Sequence, residues 1–166
     1  MKTLSRLFRH LCTTSAAGKR AFPAATLKAV EQAIAAGETR HRAEVRLIVE
    51  PALGMQAIWQ RMSSRERARE LFAHYRVWDT EENCGVLIYV NLADHKVEIV
   101  ADRGVGRKIA ASEWQAICRT MTQGFAHGAI HDSVLTAFDQ LNRLLQTHYP
   151  ADGSRGNELS DKPVML

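Results

Sequence analysis

The stretch VWDTEENCGVLIYVNLADHKVEIVADRGVG, residues 77–106, decides the fold of this chain. Cys84–Leu92 is almost continuously apolar, the pattern of a strand covered on both faces. Lys96–Asp102 instead alternates through Val97, Ile99 and Ala101, the pattern of a strand with one face buried, here an edge. Only Ala93-Asp94-His95 joins them, which forces an antiparallel hairpin. In such a hairpin the start of one strand lies beside the end of the next. The acidic loop Asp79–Asn83 therefore sits next to Asp102-Arg103-Gly104.

Working outward, Ala43–Glu50 is a further strand. Ala43, Val45, Leu47 and Val49 share one face, and Glu44, Arg46, Ile48 and Glu50 share the other, so the strand reads as half-buried. Pro51 and Gly54 end it. Before it, Pro23 opens a helix striped by Leu27, Val30 and Ile34, with Gly37 as its stop. Met55–Val77 is helical in two pieces, the second restarted by the capping box Ser63-x-x-Glu66 and striped by Ala68, Leu71, Phe72 and Tyr75. Two helices follow the hairpin. Ser112-x-x-Gln115 caps one, striped by Trp114, Ile117, Cys118, Met121 and Phe125. The other starts near Asp132 and presents Val134, Leu135, Phe138, Leu141 and Leu145.

A parallel crossover followed by an antiparallel hairpin gives a small mixed sheet with strand order 1-2-3. Helices on both faces make it an α/β protein, a three-layer α/β/α sandwich. Residues 1–21 form a basic N-terminal arm, 22–149 the domain, and 150–166 a polar tail whose composition predicts disorder.

The 166 residues are 46% hydrophobic and 24% charged, ordinary for a globular chain able to bury a core. Cys12, Cys84 and Cys118 lack any Cys-x-x-Cys spacing, which argues against a zinc ribbon or a disulfide framework. The formal charge of +4 is uneven: residues 1–30 hold six bases and no acid, leaving 16 bases against 18 acids elsewhere. The body is thus no nucleic-acid binder. No apolar run reaches the length of a secretory core or a membrane span, and the expected location is cytoplasmic.

In the arm, Leu4, Leu7, Phe8 and Leu11 recur at helical spacing among Arg6, Arg9 and His10. Two readings fit: a basic amphipathic helix lying on an anionic membrane, or a terminal helix packed on its own domain.

Chemistry has two candidate places. Asp79, Glu82 and Asp102 gather oxygen donors of the kind Ca²⁺ or Mg²⁺ prefers, with Arg103 placed to counter phosphate charge. The competing reading is a solvated loop with Asp102 paired to Arg103 or to a helix terminus. Open α/β sheets place ligands at the opposite end, outside the carboxyl ends of the parallel strands, near Glu50–Gly54 and Asp94-His95. His127 and His131 flank Gly128 without a zincin glutamate and read as capping or surface residues. Gly104-Val-Gly106 lacks the rest of a phosphate loop.

Trp78, the polar loop to Asn83, the strand Gly85–Val90, the turn Asp94-His-Lys-Val-Glu-Ile and Gly104 together resemble the TPM domain. This is the family of thylakoid acid phosphatase-like, photosystem II repair and acetylcholine-receptor-modulator proteins. Glu66-x-Ala68-x-Glu70-Leu-Phe and the final helix are similar to it as well. The resemblance is to a short bacterial-type member without a signal peptide. It implies an α/β/α sandwich acting as a binding or assembly module, through a protein partner or a membrane surface, with divalent-cation binding in some members. The alternative it implies is a divalent-cation-dependent phosphatase. The family's Gly-aromatic-Gly after the third strand reads Asp102-Arg103-Gly104 here.

Overall fold

The computed structural model describes residues 2–153 and 157–166. Three strands form where the patterning predicts them: β1 (Glu44–Glu50), β2 (Gly85–Asn91) and β3 (Lys96–Ala101). β1 and β2 run parallel, from Glu44 opposite Gly85 to Glu50 opposite Asn91. β2 and β3 run antiparallel, from Val86 opposite Ala101 to Asn91 opposite Lys96. A fourth strand, β4 (Val164–Met165), joins β1 in parallel, so the order is β3-β2-β1-β4.

Eight helices surround the sheet among the described residues. They are α1 (Lys2–Cys12), α2 (Ser15–Ala21), α3 (Ala24–Glu38), α4 (Met55–Trp59), α5 (Ser64–His74), α6 (Arg103–Gly106), α7 (Ala111–Ala126) and α8 (Ile130–His148). One sheet face, with Val45, Leu47, Val86 and Ile88, packs on Val30 and Ile34 of α3, Met121 of α7 and Phe138 and Leu141 of α8. The other, with Ile48, Leu87, Tyr89 and Val100, packs on Ala68 and Leu71 of α5. The result is the three-layer α/β/α sandwich. β2 is buried along its whole length, as its unbroken apolar run requires.

Several boundaries differ from the sequence pattern, each for a local reason. β1 is buried at every residue but Arg46, because its acids find partners. Arg67 and Tyr89 take Glu50, and the Leu159 N–H takes Glu44. α7 starts at Ala111, where the Glu113 carboxylate accepts the Ala110 N–H at 3.1 Å. A carboxylate in the first turn also meets the positive end of the helix dipole, which Gln115 does not exploit. α8 starts at Ile130.

Composition predicts disorder past Pro150, where residues 154–156 lie outside the described residues. Residues 157–166 instead lie along the outer edge of β1. Glu44 Oε2 accepts the Leu159 N–H at 3.0 Å, Arg46 donates to the Ser160 carbonyl at 3.3 Å, and the Leu166 N–H donates to the Val49 carbonyl at 3.0 Å. Leu159 and Val164 add apolar cover beside Ile48. Few apolar residues suffice here because the backbone is held by hydrogen bonds to the sheet edge.

The entry to β2 tests the packing directly. A Cβ on Gly85 would lie 1.7 Å from the Val77 carbonyl oxygen, which is backbone and cannot swing aside. Gly85→Ala is expected to lower unfolding stability by about 3 kcal/mol, the upper end for overpacking. Gly54→Ala, where a Cβ meets nothing within 4 Å, should change it by roughly 0.5 kcal/mol or less. Urea denaturation midpoints of the two variants decide it.

Candidate functional site

At one end of the sheet, the loop before β2 meets the exit of β3, as the hairpin dictates. The Gly104 N–H donates to the Asn83 carbonyl at 3.0 Å, and the Asp102 N–H to the Gly85 carbonyl at 2.9 Å. A side chain at Gly104 would strike the carbonyl oxygens of Asn83 and Glu82, 2.5 and 2.7 Å from an ideal Cβ. Only glycine permits this approach. Asp102 is buried and caps α6, its Oδ1 accepting the Arg103 N–H at 2.6 Å, while Oδ2 is buried without a hydrogen-bond partner.

The other predicted ligands have different surroundings. Glu82 pairs with Arg42 at 2.8 Å, and Asp79 is exposed. Among the described residues, no three histidine, cysteine or acidic side chains are grouped to hold a metal ion. The open groove at this end, about 560 Å³, is lined by Arg103, Arg107 and Lys108 with Glu82, Asn83 and Tyr149. Lys108 sits over the Tyr149 ring, 4.2 Å from its centroid. Calcium takes six to eight oxygens. The groove is lined by one acid, Glu82, against three cations, a balance that favours a negatively charged group over a cation.

The opposite end, outside the carboxyl ends of β1 and β2, is occupied by the chain itself. α1 lies there on its charged face. Arg6 grips Asp94 through Nε and Nη2, with contacts of 3.0 and 2.6 Å, and Nη2 also donates to the Met62 carbonyl at 2.8 Å. His10 is buried, and its Nδ1 accepts the Leu53 N–H at 2.9 Å. That leaves the proton on Nε2, which lies 3.1 Å from Asp94 Oδ1. Arg9 adds a longer contact of 3.6 Å. Burial alone would raise the Asp94 pKa, but the Arg6 hydrogen bonds and the neighbouring His10 hold it below the usual carboxylate range.

Asp94 is fixed in turn by the hairpin, its N–H donating to Asn91 Oδ1 at 2.9 Å. Asn91 donates to the Tyr89 hydroxyl, Tyr89 to Glu50 Oε2, and Arg67 clasps Glu50 with both its Nε and Nη2. A chain of polar contacts therefore runs beneath the sheet's carboxyl end from α5 to α1. Burial, then the charge of Glu50, pushes the Tyr89 phenol far above its ordinary value, so Tyr89 remains a donor.

With its charged face inward, α1 turns its apolar face outward. Leu4, Phe8 and Leu11 are 78%, 68% and 59% exposed, and Met55 and Trp59 of the adjacent α4 are 55% and 68% exposed. The i, i+3, i+4, i+7 spacing identifies the stripe from sequence, but only Asp94 reveals which face docks. The histidine pair is divided as capping residues would be. His127 ends α7 over the Gln123 carbonyl, and His131 meets Thr26 Oγ1 at 2.9 Å. Cys84 is buried, and desolvation raises its thiol pKa, the opposite of an activated nucleophile.

The sequence profile of the TPM domain matches residues 18–144. The chain belongs to the TPM domain family. The solution NMR structure of BA42 protein from the psychrophilic bacterium Bizionia argentinensis shares the fold, with a TM-score of 0.77 and 21% identity. The alignment covers 87% of this chain and 95% of that one. No curated protein matches the sequence. Both α1 and β4 fall outside the residues that match the TPM domain, whereas Asp94, which holds α1, lies within them.

The latch has a pH signature of definite sign. A carboxylate whose pKa is depressed by folding stabilises above its unfolded value and loses that contribution as pH falls through the folded one. α1 should therefore loosen on acidification below the ordinary carboxylate range. At neutral pH, Asp94→Ala should weaken docking by about 2 kcal/mol, near thirtyfold in local opening. Hydrogen exchange of α1 amides should accelerate while β2 amides stay protected. Unchanged α1 exchange would mean that Asp94 does not hold the arm.

Proposed function

We propose that this TPM domain is a binding module that attaches peripherally to an anionic membrane surface through α1. The observation carrying this reading is the inverted docking of that helix, charged side on Asp94 and apolar side free. No helix among the described residues is long and apolar enough to cross a membrane, so attachment would be interfacial. The surroundings complement anionic lipid. Arg9, Lys19 and Arg20 are exposed in an arm that contains no acid. Each base near an anionic surface contributes about 1 kcal/mol, and burying Leu4, Phe8 and Leu11 adds the apolar share.

Pelleting with phosphatidylglycerol vesicles tests it. The full chain should sediment with them and remain in solution with phosphatidylcholine. Leu4→Glu combined with Leu11→Glu alters only exposed positions and should abolish sedimentation. Equal pelleting of this variant would sink the reading.

The second reading is a divalent-cation-dependent phosphatase, with Asp79, Glu82 and Asp102 as ligands of Ca²⁺ or Mg²⁺ and Arg103 on phosphate. The unpartnered buried Asp102 Oδ2 favours it; the Glu82–Arg42 pair and the flanking cations oppose it. The expected result is a melting temperature unmoved by either ion. A rise with Ca²⁺ or Mg²⁺ that disappears in Asp102→Ala would reinstate the metal site, since a ligand that binds only the folded state stabilises by mass action.

A further inference from the structure

Behind α1 lies a groove of about 380 Å³ between the arm and the body. Its walls come from four parts of the fold: Phe8 of α1, Ala17 of α2, Leu92 of the hairpin turn, and Phe125 and Ile130 at the α7–α8 junction. None of these side chains brings a charge or a strong hydrogen-bonding group. The volume falls within the range of pockets that enclose small ligands. Two basic side chains stand at the rim, Arg9 and His95. Arg9 is half exposed, and His95 is exposed at the tip of the hairpin with φ +52°, a conformation uncommon for a residue with a side chain.

We propose that this groove takes a single acyl chain carrying an anionic head group, with Arg9 and His95 holding the head. Three features converge on that occupant. Apart from Thr13, Cys12 and the two basic rim residues, the lining between the helix pair and the body is apolar, which suits methylenes rather than a polar metabolite. The rim carries the guanidinium of Arg9 and no lining acid; Asp94, which Arg9 meets at 3.6 Å, is already gripped by Arg6 at 2.6 Å. Phe8 belongs both to the groove wall and to the exposed stripe of α1, so the groove opens on the face turned toward lipid. The inference rests on the membrane reading for its supply of ligand, and it assigns the arm a second task, selecting amphiphiles by head-group charge.

The test uses the full chain and dodecanoate below its micellar concentration, followed by displacement of anilinonaphthalene sulfonate. Dodecanoate should bind, and dodecyltrimethylammonium, with the same tail and a cationic head, should bind at least about tenfold more weakly. Ala17→Trp fills the groove from α2 and should remove dodecanoate binding; Ile130→Trp does so from the opposite wall, and thermal melts confirm that each variant is folded. The Leu4→Glu, Leu11→Glu chain leaves the groove intact and should bind dodecanoate like the parent while failing to pellet with vesicles. Equal affinity for the two head groups, or undiminished binding in both tryptophan variants, overturns the proposal. Loss of vesicle binding alone overturns only the membrane reading.

Discussion

The parallel pairing of β1 with β2 is the constraint on which the rest of the structure depends. Two parallel strands cannot be joined by a tight turn, so residues 51–84 must cross over, and they do so through α4 and α5, the latter packed on one face. The crossover covers one face of β2, α3, α7 and α8 cover the other, and β3 is left at the edge. It also makes the two ends of the sheet chemically unlike. One end collects carboxyl termini of strands, the other the loop and the short helix that flank the hairpin.

Much of this was legible in residues 43–145. Alternation and apolar runs place β1, β2 and β3, and Ser63 and Glu66 place the break between α4 and α5. The family resemblance carried by residues 66–106 also agrees with the profile match. The tail was not legible, because Val164–Met165 gains its strand character from the open edge of β1 rather than from its own composition. Nor was the burial of Glu44 and Glu50, which depends on partners distant in sequence: Leu159 for the first, Arg67 and Tyr89 for the second. A periodicity argument sees only which face a side chain shares.

The candidate sites show the same division. Hairpin geometry correctly brings Asn83 beside Gly104, since register fixes backbone neighbours. It says nothing about side-chain commitments, and Glu82 turns to Arg42 while Asp102 turns to the α6 terminus. At the other end, the rule that ligands lie outside the carboxyl ends of parallel strands finds a polar network already filled by Arg6 and His10. Charge pattern marks the arm as amphipathic, yet which side faces the body is set by one acid, Asp94, some ninety residues away.

Latching α1 to the β2–β3 turn also gives the domain an orientation. With the apolar stripe at an interface, the strands' carboxyl ends point toward the surface and the groove of Arg103, Arg107 and Lys108 points away. Six strand residues separate the two, roughly 20 Å at the usual rise. If α1 attaches as proposed, the sheet would act as a spacer of set height, holding its cationic end away from the surface that α1 meets.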